Sequence, residues 1–327
     1  MFLMDNDIIL LEGQEYFTKM AMDVSSVLDI VRKKGYFKSC GKFNIYYEFY
    51  INPCEKAAIF ISHGLCEFTS KYEEVIYKFF SEGYSVFIMD YRGHGYSDRA
   101  VSDLSKVYTR SFMDYVEDAK YFIQEIVAKE SLTGSIFLFA HSMGGTIGAL
   151  LLEEYSRLFK CAVLSSPMFE INFGRFPWQL ASVVSYMAKF FFLGKMYAYG
   201  QKPFDIAYNF KVNNTCVSEA RYKYILQKRI KDSKYRTSGV TYAWSSAGIA
   251  AVRKLHRNAK KASVPVLIFQ AGLDTLVKPK GQEVFARNVP DAEIIVIKDA
   301  KHEIYNAGTS ARIEYYKRIL EFYNKWL

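Results

Sequence analysis

The stretch Ile136-Phe-Leu-Phe-Ala-His-Ser142-Met-Gly144-Gly145 runs from an unbroken apolar segment into a turn of small residues, and a helical pattern follows it. A short apolar run without polar interruption suits a strand covered on both faces, as in a parallel sheet. A serine at the tip of such a strand-to-helix turn presents its hydroxyl above the sheet, and small residues two positions to either side let strand and helix approach. Ala140 and Gly144 occupy those two positions. The pentapeptide alone also fits a plain glycine-containing turn with a surface serine, so its neighbours have to decide.

Apolar runs of the same kind recur at 57–61, 85–89, 161–164, 264–269 and 294–297. Between the first two, Tyr72, Val75, Ile76, Phe79 and Phe80 repeat at helical spacing, with Ser70 and Glu73 as a capping box and Gly83 placed to end the helix. Further helical patterns cover 111–128, the residues after Ser142, and 310–327, where Ile313, Tyr316, Leu320 and Tyr323 form a stripe. Strand and helix in alternation predict an α/β fold with a mostly parallel central sheet and helices on both faces. Residues 36–38 and 43–49, separated by a turn containing Gly41, predict an antiparallel hairpin at one edge. The alternation stops after Pro167 and resumes near Val264, and the interval is rich in Phe, Tyr and Lys at helical spacing. We therefore expect a core of 1–169 and 253–327 with 170–252 inserted as a helical cap over the site.

A serine attacks an ester at neutral pH only if a histidine takes its proton and a carboxylate orients that histidine. In a sheet of this kind the chain order is nucleophile, acid, histidine, each on a loop after a strand. His302 follows the run 294–297 by one loop, whereas His256 lies in the basic stretch Arg253-Lys-Leu-His-Arg257 and reads as a surface residue. Asp274 leaves the run 264–269; Asp291 precedes its strand and Asp299 shares the histidine's loop. Acyl transfer also needs amide donors for the oxyanion. Met143, next to the serine, is one; Leu65, in Ser62-His-Gly-Leu-Cys-Glu67 at the end of a buried run, is positioned to be the other. His63 and Glu67 read as braces of that loop, and the turn Asp90-Tyr-Arg-Gly-His94-Gly-Tyr-Ser-Asp98 reads as structural.

With these segments in view, the chain resembles an α/β-hydrolase of the bacterial lysophospholipase and monoacylglycerol lipase branch, the matching segments being spread over 36–327. HGLCEF, DYRGHGYSD, AHSMGG, the Asp274 turn and AKHEIYN stand in the family's order. Asn213-Asn-Thr-Cys-Val-Ser-Glu-Ala-Arg-Tyr222 and Gly239-Val-Thr-Tyr-Ala-Trp244 are similar to the cap of bacterial lysophospholipases. The resemblance implies Ser142 as nucleophile, Asp274 as acid, His302 as base, and Leu65 and Met143 as oxyanion amides, with no cofactor or metal. Ala140 in place of the usual Gly and Cys66 in the oxyanion loop depart from the pattern, and Cys66 predicts sensitivity to thiol alkylation.

The 327 residues are 50% hydrophobic and 24% charged, ample for a large core and far from a disordered composition. The net charge of +9 favours anionic neighbours. No nucleic-acid recognition motif accompanies it, so an anionic membrane surface is the expected partner, with a small-molecule lipid ester as substrate; nothing in the sequence specifies an oligomeric state. Five cysteines without a CxxC pair suggest neither zinc nor a disulfide framework. The first eleven residues, with Asp5 and Asp7 inside their apolar stretch, fail as a signal peptide. Residues 178–199 read as amphipathic, not transmembrane, because Gln179, Lys189, Gly194 and Lys195 interrupt them. Within that segment, Phe190-Phe-Phe-Leu193 reads more readily as cap core than as a membrane-facing strip. We expect a cytoplasmic serine ester hydrolase working at the inner membrane surface on a lysophospholipid or monoacylglycerol through an acyl-enzyme. A small-ester carboxylesterase, a thioesterase or peptidase, and a non-catalytic ligand sensor on the same fold are the competing readings.

Overall fold

The computed structural model describes residues 11–39, 42–174 and 177–327. The first ten residues, on which the signal-peptide reading rests, and the hairpin turn residues Cys40 and Gly41 lie outside the described residues. Eight strands form one sheet: β1 (Arg32–Ser39), β2 (Phe43–Tyr50), β3 (Ala58–Ser62), β4 (Ser85–Met89), β5 (Ile136–His141), β6 (Cys161–Ser165), β7 (Val266–Ala271) and β8 (Ala292–Ile297). Their spatial order is β1-β2-β4-β3-β5-β6-β7-β8. The hairpin β1-β2 is antiparallel, β2 runs antiparallel to β4, and every other pair is parallel.

The parallel interior explains the unbroken apolar runs. Every residue of β3, β4, β5 and β6 is buried, and the strand period of two divides each between two cores. Phe60, Leu138, Leu164 and Ile268 face the helices Met113–Phe122, Met143–Tyr155, Tyr242–Asn258 and Pro279–Asn288. Ile59, Ile61, Phe139 and Leu267 face the helices Glu73–Ser81 and Thr309–Asn324.

Three expectations change. Ser70 and Glu73 form no capping box: residues Thr69–Tyr72 make a 3-10 turn ahead of the helix, no side chain caps it, and Glu73 is drawn instead to Lys228 at 2.6 Å and Tyr224 at 3.0 Å. The buried stripe of the last helix keeps the expected Tyr316 and Tyr323 but adds Tyr315, Ile319 and Phe322 and leaves Ile313 42% exposed. A helical segment precedes the hairpin, Gly13–Lys19 continuing through a wide turn into Ser25–Val31, and it buries Tyr16, Met20, Val24 and Leu28 against the second core.

Between β6 and β7 the chain forms the helices Trp178–Phe190 and Glu219–Lys231 and then Tyr242–Asn258. The last of these is continuous across 252/253, where the cap was expected to end, because Trp244, Ala247, Ala251 and Leu255 lie on one face of it and join the sheet core. A short parallel pairing of Lys106–Val107 with Gly239–Val240 ties this region to the loop after β4.

The helix that follows β5 meets the end of β3 at very short range. A Cβ on Gly144 would stand 2.0 Å from the Ser62 carbonyl oxygen, which is backbone and cannot swing aside. Gly144→Ala is therefore expected to lower stability by about 1–3 kcal/mol or more, measured by denaturant unfolding. Wild-type stability in that variant would mean the turn is looser than its spacing indicates.

Candidate active site

Ser142 stands between β5 and the helix Met143–Tyr155 with φ 52° and ψ −117°, a left-handed conformation that side chains rarely adopt. Surrounding backbone holds it there. Its amide donates to the Ser165 carbonyl at 3.1 Å, and its own carbonyl accepts from Gly145 at 2.9 Å and Met168 at 2.9 Å. The departure at Ala140 is accommodated because the residue facing it is Gly148, where an added Cβ would lie 3.1 Å from the Ala140 methyl.

Asp274 lies in the turn after β7 and His302 in the loop after β8. One carboxylate oxygen of Asp274 accepts the amides of Leu276 at 2.8 Å and Val277 at 3.1 Å, and the other pairs with His302 Nδ1 at 2.7 Å. Burial opposes ionisation of Asp274, but His302 and the two amides outweigh it and hold the carboxyl below its ordinary value. With Nδ1 donating to this carboxylate, His302 Nε2 is the free acceptor, and it lies 2.7 Å from Ser142 Oγ. Ser142 and His302 are both largely buried.

The alternatives are placed elsewhere. Asp291 and Asp299 are exposed. His256 is half-buried rather than on the surface, its Nε2 2.8 Å from the Phe169 carbonyl. Burial pushes His63 and His141 down to about 4, so both are neutral at physiological pH. His63 Nε2 accepts the Tyr91 amide at 3.0 Å, which fits a bracing role.

Leu65 lines the cavity that holds Ser142 and Met143 is the first residue of the helix after it, and neither amide has a protein acceptor among the described residues. Glu67 anchors the Leu65 loop: it accepts from the Gly64 amide at 2.6 Å, Tyr72 at 2.5 Å, Tyr305 at 2.9 Å and Lys71 at 2.7 Å. Lys71 also reaches Glu303, next to His302, at 2.7 Å. This buried trio joins the candidate oxyanion loop to the histidine loop. Burial favours neutral carboxyls, yet Lys71 overrides it and keeps Glu67 well below and Glu303 below the usual carboxylate range. Sequence reasoning missed Lys71 and Glu303, which stand far apart in the chain. Burial pushes the Cys66 thiol up to about 12, which starves it of thiolate and removes the basis for ready alkylation.

Above the serine lies a cavity of about 1220 Å³, lined by Leu65, Met168, Ile171, Phe204, Leu226 and Val277 among others, with Ser142 and His302 in its wall. Most of its lining beyond the site comes from the chain between β6 and β7. On the outer side, Val183, Tyr186, Phe190, Phe191 and Leu193 are exposed and Phe192 is 96% exposed, so Phe190–Leu193 is not core. Among the described residues no helix is long and apolar enough to cross a membrane, and no group of three His, Cys, Asp or Glu side chains is arranged to hold a metal.

A parallel sheet with a strained serine at its central strand-helix turn, hydrogen-bonded to a histidine on a later loop, defines an α/β-hydrolase enzyme that hydrolyses esters. The chain belongs to the family Hydrolase_4, serine aminopeptidase S33, which matches residues 53–307. It is 29% identical to the probable lysophospholipase L2 of Haemophilus influenzae, over 87% of this chain and 90% of that protein. It is 28% identical to lysophospholipase L2 of Escherichia coli, over 82% and 80%, and 25% identical to mouse monoglyceride lipase, over 69% and 68%. Among solved structures, the monoglyceride lipase of Saccharomyces cerevisiae superposes with a TM-score of 0.69 at 17% identity, over 91% of this chain and 97% of that one. A Bacillus coagulans carboxyl esterase superposes at 0.70 and 17%, over 90% and 99%. At such identities the structures establish the shared fold.

Replacing Lys71 by Met leaves two buried carboxylates facing each other without a cation, and breaking such a group costs about 3–5 kcal/mol. Both carboxyls sit below their ordinary values, so the stability they contribute is present above the ordinary carboxylate range and lost as pH falls through the depressed values. The deficit of Lys71→Met should be full at pH 7 and shrink on acidification as the orphaned carboxyls protonate. Denaturant unfolding across pH checks it, and a pH-independent deficit would contradict the paired-charge account.

Proposed function

We propose that this enzyme cleaves the single acyl ester of a lysophospholipid or monoacylglycerol, with Ser142 as nucleophile, His302 as general base, Asp274 orienting it, and the Leu65 and Met143 amides binding the oxyanion. The observation that carries this reading is the unbroken relay Ser142 to His302 to Asp274, both links 2.7 Å, at the wall of a large cavity with apolar lining. Residues 170–252 serve as the cap, the helix Tyr242–Asn258 being shared with the core. Ser142 Oγ attacks the ester carbonyl while His302 Nε2 takes its proton and later delivers it to the departing glycerol oxygen. Water then attacks the acyl-enzyme by the reverse proton path. Buried methylenes of a long acyl chain contribute about 0.8 kcal/mol each, and the size of the cavity supports such a chain over a short one. The names of the relatives, lysophospholipase and monoglyceride lipase, support the same substrate class.

Fatty-acid release from matched lysophospholipid, monoacylglycerol and short p-nitrophenyl esters tests the reading. Long-chain lipids should be preferred and Ser142→Ala should lose turnover while remaining folded. Turnover confined to short esters would leave a carboxylesterase, and substantial turnover in folded Ser142→Ala would remove the assignment altogether.

The cap also docks on an anionic membrane. The exposed side chains of Tyr186, Phe190 and Phe192 stand beside the exposed cations Lys189 and Lys195, a pairing that suits an acidic lipid interface. Sedimentation with anionic vesicles at low salt should show binding that falls on raising salt and on replacing Phe190 and Phe192 by Ser. Equal binding by that double variant would discard this surface.

A further inference from the structure

The cations lining the cavity differ in what they are paired with. Lys71 is held by Glu67 and Glu303, and Arg221 by Glu74 at 2.6 Å and Glu12 at 3.1 Å. Arg229 and Lys202 also line it, and among the described residues neither lies within ion-pair distance of a carboxylate. On the helix Glu219–Lys231, the residue before Arg229, Lys228, is bound to Glu73 at 2.6 Å. Arg229 is thus left unneutralised on a helix whose other cations nearest the core are neutralised.

Its placement is fixed by packing. The guanidinium lies 5.9 Å from the Phe68 ring centre and 5.6 Å from that of Phe204, contacts that orient its plane. Nη2 donates to the carbonyl of Cys66, and Nε is buried with no acceptor. Leaving a charged donor buried and unsatisfied is costly, and such a group calls for an explanation in what the site receives. Cys66 directly follows Leu65, so this guanidinium touches the loop proposed to bind the oxyanion. Lys202 stands two residues before Phe204, whose ring backs the guanidinium. The carboxylates on the same lining are Glu67 and Glu303, both committed to Lys71, and the exposed Asp205.

We infer that Arg229, seconded by Lys202, receives the phosphodiester of a lysophospholipid and sets the enzyme's preference for it over a monoacylglycerol. The inference rests on the lipid-ester reading above. In a 1-acyl glycerophospholipid, three carbons separate the scissile ester oxygen from the phosphodiester oxygen, so a cation beside the oxyanion loop is within the molecule's reach. Arginine's planar fork matches phosphate oxygens, and its charge is permanent. A monoacylglycerol offers the same ester with a hydroxyl in that place and gives the guanidinium no counter-charge.

The test compares kcat/KM for 1-palmitoyl lysophosphatidylcholine and 1-palmitoylglycerol, at equal mole fraction in neutral detergent micelles, in wild type, Arg229→Gln and Arg229→Lys. The zwitterionic lipid carries the phosphate without adding net charge to the micelle. The ratio of the two values should fall about tenfold or more in Arg229→Gln, the worth of one hydrogen bond to a charged group, and by less in Arg229→Lys. Labelling of Ser142 by a fluorophosphonate reports an intact site in each variant. Equal loss on both substrates would show that Arg229 only braces the Cys66 carbonyl, and it would overturn the inference while leaving the lipid-ester reading standing. A wild type that cleaves 1-palmitoylglycerol but not the lysophospholipid overturns it as well. A wild type that cleaves neither overturns the lipid-ester reading itself. Should Arg229→Gln not fold, competition against p-nitrophenyl butyrate in wild type decides: glycerophosphocholine should inhibit about tenfold more strongly than glycerol, and equal inhibition would overturn the inference.

Discussion

Ser142 is held in a backbone conformation that an isolated chain would avoid, and the architecture around it exists to enforce that conformation. At φ 52° the residue is stable only because its amide and carbonyl are fixed by β6 and by the chain just beyond it, through Ser165 and Met168. That fixation requires β5, its helix and β3 to approach closely, which explains Gly144 beneath the Ser62 carbonyl and Gly145 against Pro167. It also requires both faces of β5 to be buried, since a solvated central strand would not hold the turn at this precision. The helices on both faces of the sheet follow from the same requirement.

The second organising interaction is electrostatic. Lys71 bridges Glu67, which anchors the Leu65 loop, and Glu303, which adjoins His302. Two segments more than two hundred residues apart in the chain, the Leu65 loop with its following turn and the His302 loop, are held in one geometry by two buried ion pairs. Such pairs are costly to desolvate and are retained where they fix an arrangement. Here the arrangement fixed is that of the Leu65 loop relative to the loop of the proposed base, His302.

Much of this was legible in the sequence, with identifiable limits. The parallel strands were readable because two-sided burial leaves an unbroken apolar run, and Asp274 and His302 because each leaves such a run by one loop. The last helix was read correctly at Tyr316 and Tyr323, which are buried, but Ile313 is exposed and the stripe widens instead to Tyr315, Ile319 and Phe322. The first helix was missed although Tyr16, Met20, Val24 and Leu28 repeat every fourth residue, a pattern sequence reasoning had available. Ser70 lost its capping role because Glu73 had better partners, Lys228 and Tyr224, contributed from a helix far along the chain.

By itself the sequence determined the class of fold, the order of its strands along the chain, and the residues proposed to carry the chemistry, because periodicity, turn composition and residue type are local properties. Only the tertiary structure decided which polar groups are neutralised and which apolar ones are left outside. Phe192 and Phe60 are the same residue type, one almost fully exposed on the cap and the other fully buried in the sheet. Lys71 and Arg229 are both cations on one cavity, one held by two carboxylates and the other by none. Burial and charge pairing depend on what the rest of the chain brings alongside, and no local pattern carries that information.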